Sequence, residues 1–326
     1  EADAPTNEHI RLAGKFDARG DQVPRGFLRV LNVAPQVSLP ENQSGRIQLS
    51  QWLTDPSTRA GALAARVLAN RIWHHMMGRG LVRTVDNFGR TGESPSHPEL
   101  LDHLASELIQ NGWSVKSLIR QIALSRTFAL SSSFDSHNHD VDPENILLWR
   151  AHRRRLDPES LRDAMLTAAG TLDLKPVDST VDYLGDQATA VGGNPVRRRT
   201  DFNCRSVYLP VIRNDLPELF EAFDFANPHQ ATGARPKTTV PVQGLFMLND
   251  SLVMSAAEST AKRVLAELPQ SSLEQQIDRI FQLCISRTPT DEERSLVARW
   301  VQSAEDQMRA AGDADHRRKA FTLTCH

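Results

Sequence analysis

The stretch from residue 58 to residue 113 constrains the fold more than any other part of the chain, because it places polar side chains within a helix that is otherwise apolar. Residues 58–77 carry apolar side chains around nearly the whole circumference of a predicted helix, which is typical of a buried helix. Gly78 follows, and a residue without a Cβ readily adopts the left-handed conformation that ends a helix. The pattern therefore predicts helix, polar loop, helix.

The second of these helices is expected to begin next to Ser96. Residues 96–99 read Ser-His-Pro-Glu, which matches a capping box in which Ser96 accepts from the third amide and Glu99 reaches back. This interpretation places His97 at the first helical position. The loop of residues 78–95 is then held between two defined helix ends.

A narrow polar stripe follows the first helix and consists of Arg59, Arg66, Asn70 and His74. Charged residues are seldom buried without a partner, so the stripe must face a carboxylate, backbone carbonyls or a ligand. In one interpretation the groups hydrogen-bond the backbone of the loop, as a buried irregular loop requires. In the other they belong to a functional site.

The functional interpretation brings together residues from both helices and the loop. His74, Asp86 and His97 are the candidate catalytic residues, because histidine with aspartate can supply a general base. Asp86 is expected to pair with Arg66 or Arg71. The candidate binding residues of this cluster are Arg66, Asn70 and Arg71.

Arginines also concentrate further along the chain. The triplets are Arg153–Arg155 and Arg197–Arg199, while Arg205 and Arg213 flank a predicted strand at 206–212. Guanidinium groups suit carboxylates, sulfates and phosphates, although many surface arginines are simply solvated or paired. A local anion site would use Arg153, Arg154, Arg205 and Arg213.

Composition excludes several function classes. The 326 residues include 38 basic and 40 acidic ones, so no global positive field drives nucleic-acid binding. The three cysteines form no CxxC or CxxCH motif, and we expect no metal and no cofactor in this chain. The histidines of residues 137–140 lie in a predicted serine-rich linker, where a preorganised metal site is not expected. No apolar run approaches the roughly 20 residues that span a bilayer.

The whole chain predicts a mainly α fold. We expect a multi-helix domain over residues 46–326, preceded by a small β-rich segment over residues 1–45 and interrupted by a large irregular insertion at about 171–203. Helix starts are predicted at Asp142-Pro143 and Asp157-Pro158. Capping boxes are predicted at Ser271-x-x-Glu274 and Thr290-x-x-Glu293, and a break in a long helix near Asn249-Asp250.

Several runs together resemble a known domain family. The matching segments are residues 63–125, 142–166, 204–224, 238–250 and 286–293. They are similar to the C-terminal domain of unknown function that follows planctomycete-type cytochrome c domains in large secreted bacterial proteins. Residues 9–40 resemble the junction with the upstream domain, so residues 1–45 are interpreted as its remnant and the chain as a fragment or processed form.

The resemblance implies a periplasmic or secreted protein whose partners include the upstream domains of the same polypeptide, with haem in those domains. Other partners it suggests are a redox protein or an anionic polysaccharide. Our first hypothesis is a scaffold or partner-binding module linked to electron transfer or polysaccharide processing. The alternative is a hydrolase or lyase acting on an anionic saccharide, with His74, Asp86 and His97 as acid/base groups and the arginines holding the anion.

Overall fold

The computed structural model describes residues 5–31, 39–40, 42–177, 202–213 and 216–326. Over these ranges it contains twelve α-helices and one antiparallel sheet, formed by strands β1 (Glu8–Arg11) and β2 (Arg19–Val23). The prediction of a mainly α fold with a small β-rich N-terminal segment is therefore confirmed. In chain order the helices are α1 (Arg46–Thr54), α2 (Arg59–Met77), α3 (Pro98–Gln110), α4 (Val115–Ala123), α5 (Ser136–Val141), α6 (Pro158–Ala169), α7 (Glu218–Ala222), α8 (Pro241–Asn249), α9 (Ser251–Glu267), α10 (Leu273–Ile285), α11 (Asp291–Ala310) and α12 (His316–Cys325).

The chain divides into two compact units, Glu1–Arg154 and Arg155–His326. This division lies within the stretch 46–326 that the sequence analysis treats as one helical domain. The β-hairpin belongs to the first unit.

Helix α2 organises the core of the first unit and packs against α1, α3 and α4. Its buried residues include Ala65, Ala69 and Trp73, and the last two belong to the same apolar cluster as Leu104 and Leu108 of α3. The opposite side, with Arg66 and His75, is exposed. The predicted helix is confirmed, but it is buried on one side rather than all round.

Both ends of α2 follow local rules. Thr58 accepts a hydrogen bond from the amide of Gly61 at 2.9 Å, as an N-cap residue does. Gly78 has φ +85° and ends the helix. At the start of α3 the prediction is wrong by one residue: His97 is the N-cap and Pro98 the first helical residue. Proline favours that position because its missing N–H needs no partner there.

The second unit is built around α9, which packs against α6, α10 and α12. One apolar cluster joins α7, α8 and the start of α9 through Phe220, Phe246 and Val253. A second joins α9 to the last three helices through residues that include Val264, Ile280 and Phe321. The first of these clusters holds α7 and α8 in place, the two helices that border the groove described in the next subsection.

Most predicted helix boundaries in the second unit are confirmed. Helix α6 begins at Pro158 and ends at Gly170, where φ is +73°. Asp250 separates α8 from α9 and accepts from the amide of Leu252. The capping box at Thr290 and Glu293 is present, whereas the preceding box uses Ser272 and Gln275, one residue later than predicted.

Three local predictions are wrong. Asp142-Pro143 starts no helix; the Asp142 carboxylate instead accepts from the amides of Ile146 and Leu147 and closes a turn. The predicted linker contains α5, which Asp135 caps. Ser206–Tyr208 of the predicted strand forms a 3-10 helix, because the carboxylate of the preceding helix α6 binds this segment, as described below.

The predicted insertion at 171–203 is described only at its ends. Residues 171–177 and 202–203 contain no helix, and Asp173 forms an isolated bridge with Cys204. Residues 178–201 lie outside the described residues, and so does the triplet Arg197–Arg199.

Candidate functional site

Asn70 holds the loop that follows α2. Its side chain is fully buried, and its amide group donates to the carbonyl oxygen of Val82 at 3.0 Å and accepts from the Val82 amide at 2.9 Å. Gly80 passes directly over it, since a Cβ there would lie 2.4 Å from the Val82 oxygen and 3.0 Å from Nδ2 of Asn70. Asn70 therefore hydrogen-bonds the backbone of the loop, as the structural interpretation of the polar stripe expects.

The rest of the loop is closed by its own polar groups. The Thr84 hydroxyl donates to the carbonyl oxygen of Asn87 at 2.8 Å and accepts from the Glu93 amide at 3.0 Å. The amide of Ser96 donates to the carbonyl oxygen of Leu81 at 2.8 Å. Leu81, with its neighbours Val82 and Val85, is buried beneath this network. The loop is thus an ordered part of the first unit.

A pocket of about 200 Å³ lies against this loop. The turn of residues 145–152 forms its other wall. Its apolar lining comprises Trp73, Leu81, Ile146 and Leu148, and its charged or titratable lining comprises Arg79, Arg83, Glu93, His97 and His152.

Of the three predicted catalytic residues, His97 lines this pocket. Its Nδ1 lies 3.0 Å from the Ser96 hydroxyl. His74 and Asp86 are not among the described residues of the lining. His74 is half-buried and its ring contacts that of His75, while Asp86 is exposed on the loop. The pocket thus combines His97 with His152, a histidine that the sequence analysis did not single out.

The buried Asn145 orients His152. Its amide donates to the carbonyl oxygen of Arg150 at 2.8 Å and accepts from the Arg150 amide at 3.2 Å, which fixes which way the amide points. Nδ2 also lies 3.3 Å from Nδ1 of His152. Because Nδ2 is a donor, the neutral imidazole accepts at Nδ1 and carries its proton on Nε2. This is the arrangement of a positioned acid/base group or of a structural histidine.

The positive charges beside the pocket are already paired. Arg79 contacts the Glu144 carboxylate at 3.1 Å, and Arg83 contacts the same carboxylate at 3.3 Å and Glu93 at 3.5 Å. Burial raises the pKa of Asp142, but the amides of the turn and the Arg79 guanidinium outweigh it and hold that pKa below its ordinary value. An anion entering the pocket would therefore compete with carboxylates for both guanidinium groups.

Residues 45–301 match the model of the family described as PSD1, protein of unknown function (DUF1553). The chain belongs to the PSD1 family. The matched range begins at Gly45, the N-cap residue of α1, and ends at Val301 in α11, so it includes the loop, the pocket and most of the second unit. Neither a curated protein nor a solved structure matches the chain.

The arginines predicted to bind an anion occupy separate places in this PSD1 domain. Arg66 pairs with Asp102 of α3 at 2.5 Å, rather than with Asp86. Arg154 donates to the carbonyl oxygen of His75 at 2.7 Å and crosses the end of α2. Arg71 is half-buried, and the other three, Arg153, Arg205 and Arg213, are exposed, as Arg66 and Arg154 are. The contacts of Arg66 and Arg154 serve the fold.

Arg162 is a buried polar group of the PSD1 domain that the sequence analysis missed. Its side chain is fully buried and donates to the carbonyl oxygens of Cys204, at 2.9 Å, and Phe202. The adjacent Asp163 accepts from the amide and hydroxyl of Ser206 at 2.8 and 2.7 Å. Together the two side chains attach residues 202–206 to α6. Buried arginines are rare. Neither the composition nor the helical periodicity of the sequence indicates that Arg162 is buried.

Two kinds of feature were searched for in the described part of the PSD1 domain, a cluster of metal-ligating side chains and a membrane-spanning helix. Its histidine, cysteine and carboxylate side chains form no group of three or more that could hold a metal ion. None of the described helices combines the length and the apolar character that a membrane span requires.

Helix α8 exposes an apolar face in the second unit. Val242, Leu245 and Leu248 are 54%, 57% and 62% exposed, and they recur every three residues. We call this set the α8 face. Between α8 and α7 lies an open groove of about 700 Å³, which Val242 and Leu245 line from the α8 side.

The groove has an acidic rim. Glu218 and Glu221 of α7 and Asp250 at the end of α8 line it, and no basic side chain is among its described lining residues. Contiguous exposed apolar surface with a polar rim marks interaction sites more often than single exposed residues do. The α8 face is thus an apolar surface beside an acidic rim.

Polar contacts connect α7 and the residues just after it with α8 and the residues just before it. Asp224 accepts from the amide and the hydroxyl of Thr238 at 2.8 and 2.9 Å and from Arg155 at 2.6 Å. Burial raises the pKa of Asp224, but these donors outweigh it and keep that pKa below its ordinary value. Gln243 donates from α8 to the carbonyl oxygen of Ala222 in α7 at 3.0 Å. The surface is therefore preorganised, which lowers the entropic cost of binding.

Proposed function

We propose that this PSD1-family domain is a non-catalytic partner-binding module and that the α8 face is its binding surface. The observation that carries the proposal is the exposed apolar triplet Val242, Leu245 and Leu248 beside an acidic groove. Burying such side chains on a partner is favourable by about 25 cal/mol per Å² of apolar surface. The polar stripe of α2 supports the same proposal, because Asn70 and Arg66 are used within the fold.

The negative charge of the acidic rim determines which kind of partner surface is complementary to it. Glu221 and Asp250 favour a protein surface that surrounds an apolar patch with lysines or arginines, and they disfavour an anionic polysaccharide. A c-type cytochrome with lysines around its exposed haem edge has this character. We therefore propose a periplasmic or secreted module that docks a haem domain, either upstream in the same polypeptide or on a separate redox partner, in electron transfer or polysaccharide processing. The resemblance to cytochrome-associated domains supports this assignment.

Cytochrome c serves as the probe for this prediction. We expect weak binding by isothermal titration calorimetry, and an affinity that falls as ionic strength rises, because the Debye length shrinks from about 30 Å at 0.01 M to about 8 Å at 0.15 M. Leu245→Ser should weaken binding by about tenfold, as the loss of one central apolar contact does. Glu221→Lys should weaken it further and reduce the salt dependence.

A matched control is available on α11. Leu296 is 61% exposed and does not line the groove, so Leu296→Ser should bind cytochrome c like the unmodified chain. Equal binding by the Leu245→Ser and Leu296→Ser variants would show that the α8 face is not the docking surface.

The second candidate function is a hydrolase or lyase acting on an anionic saccharide. The pocket that holds His97 and His152 favours it, since two imidazoles can serve as acid and base while Arg79 and Arg83 hold a carboxylate or sulfate. It ranks second because both guanidinium groups already contact carboxylates. Under this candidate function, a hydrolase should cleave uronic-acid or sulfated polysaccharides to give new reducing ends, and a lyase should cleave them to give unsaturated products.

His97→Ala tests this candidate function directly. If the pocket is catalytic, the variant should lose turnover while its Tm stays unchanged. If the domain is a partner-binding module, neither the unmodified chain nor the variant should act on these polysaccharides. A loss of both turnover and folding would assign His97 a structural role. In that case the turnover of a His152→Gln variant would test whether the pocket is catalytic.

A further inference from the structure

Two arginines in the first unit converge on one carboxylate oxygen. Nη2 of Arg79 lies 3.1 Å and Nη1 of Arg83 lies 3.3 Å from Oε2 of Glu144. Nη1 of Arg79 also donates to the backbone carbonyl oxygen of Glu144 at 3.0 Å. Glu93 contacts a different nitrogen of Arg83, Nε, at 3.5 Å. The position of Oε2 therefore marks a point at which two guanidinium groups can hold the oxygen of a carboxylate.

The Glu144 carboxylate can leave this point at little cost. Its side chain and that of Arg83 are both more than half exposed. Exposed ion pairs add little to stability, because the Coulomb attraction is small in water and the pairing orders two long side chains. A carboxylate from outside the chain can therefore take the place of Glu144 between the two guanidinium groups.

The pocket that Arg79 and Arg83 line continues into an apolar cavity of about 200 Å³. Trp73, Leu81 and Leu148 belong to its apolar lining. A cavity of about 150 Å³ with apolar walls holds one benzene molecule, so the pocket has room for one aromatic ring and a carboxylate. The indole of Trp73 favours a flat ring over an aliphatic body, since aromatic rings attract one another.

The turn of residues 142–148 forms this pocket wall without a ligand. The Asp142 carboxylate accepts from the amides of Ile146 and Leu147 at 3.0 and 2.7 Å. Leu148 lines the pocket with φ +57°, a left-handed conformation that residues with a Cβ seldom adopt and that is often found at ligand sites. The hydrogen bonds of the turn thus present Leu148 to the cavity in advance, which lowers the entropic cost of binding.

We propose that this pocket binds a small aromatic carboxylate of about the size of benzoate, and that Glu144 is the internal carboxylate that the ligand displaces. The ring lies against the apolar lining, and its carboxylate contacts Arg79 and Arg83. The described lining residues all belong to the first unit, so the site does not depend on the α8 face. It requires no catalysis and takes an apolar body, which separates it from the saccharide-cleaving candidate.

Isothermal titration calorimetry of the full chain with benzoate tests this proposal. We expect saturable binding with a Kd of about 1 mM or below, as suits so small a ligand. Benzamide, which lacks the charge, and acetate, which lacks the ring, should each bind at least about tenfold more weakly. Absence of saturable benzoate binding, or equal affinities for benzoate and acetate, would overturn the proposal. Equal affinities for benzoate and glucuronate would overturn it in favour of a saccharide ligand.

Two variants that remove the same ion pair should change benzoate affinity in opposite directions. Arg83→Gln should weaken binding by about tenfold, because the ligand loses one of its two guanidinium partners. Glu144→Gln should strengthen binding by up to about fivefold, because the ligand no longer competes with an internal carboxylate. If the ion pair serves only the fold, both variants should lower Tm alike and leave benzoate binding unchanged, a result that would overturn the proposal.

Arg287→Gln is the matched control for Arg83→Gln. It removes an exposed arginine that pairs with Glu293 at 2.6 Å in the second unit, so it should leave benzoate affinity unchanged. An equal loss of affinity in Arg83→Gln and Arg287→Gln would assign the signal to general attraction of anions by surface arginines and overturn the proposal. Circular dichroism of the variants verifies that the helices are retained.

Discussion

Asn70→Ala should lower the free energy of unfolding by about 2 to 4 kcal/mol, because it leaves the buried amide and carbonyl of Val82 without their partner. An unsatisfied buried polar group costs about 1 to 3 kcal/mol. The tight approach of Gly80 leaves little room for water to replace the lost amide. Urea denaturation followed by tryptophan fluorescence measures this loss, because four of the five tryptophans, the buried Trp73 among them, lie in the first unit.

Arg66→Ala is the control for Asn70→Ala within the same polar stripe. Arg66 and its partner Asp102 have side chains 48% and 52% exposed, and exposed ion pairs contribute at most about 1 kcal/mol. We therefore expect a small effect. An Asn70→Ala variant as stable as the Arg66→Ala variant would contradict the structural role of Asn70 and return the stripe to the functional interpretation.

Arg162→Leu should destabilise the second unit by about 3 to 5 kcal/mol, the cost of removing one partner from a buried charged network. The change leaves the carbonyl oxygens of Phe202 and Cys204 without their donor and removes the charge next to Asp163. Arg162→Lys should recover part of the loss, because a single ammonium keeps the charge but cannot reproduce the planar fork of donors. Urea denaturation monitored by circular dichroism measures both variants.

Hydrogen exchange locates the effect of Arg162→Leu. Amides of residues 202–206 should exchange faster than in the unmodified chain, because Arg162 and Asp163 attach this segment to α6. Arg279→Leu is the control, since its partly exposed guanidinium pairs with Glu267 at 2.8 Å on the surface. If Arg162→Leu and Arg279→Leu have equal effects, residues 202–206 do not depend on the buried arginine.

Helix ends were predictable from sequence where a local rule acts alone. Gly78 ends α2, Asp250 starts α9, and Thr290 with Glu293 caps α11, because each depends on side chains within a few residues. At Ser96, two local rules compete. The proline at N1 moves the cap to His97, and the capping-box pattern alone places it one residue early.

The pocket and the buried arginine could not be predicted in the same way. Arg79 meets Glu144, which lies 65 residues further along the chain, and Arg162 meets Cys204, which lies 42 residues further. Such contacts depend on tertiary packing, which leaves no periodic signal in the sequence. The polar stripe was visible in the sequence, but only the position of Val82 shows that Asn70 serves the loop.

Hydrogen exchange with and without cytochrome c is the most direct measurement of the central claim that the α8 face binds a partner. We expect slower exchange in peptides that cover Glu218–Ala222 and Pro241–Asn249, with no change in the loop of residues 78–97. Raising the salt concentration should remove this protection, because the acidic rim contributes to the contact. Protection of residues 78–97 with none in α8 would contradict the claim and favour the pocket of His97 and His152 as the functional site.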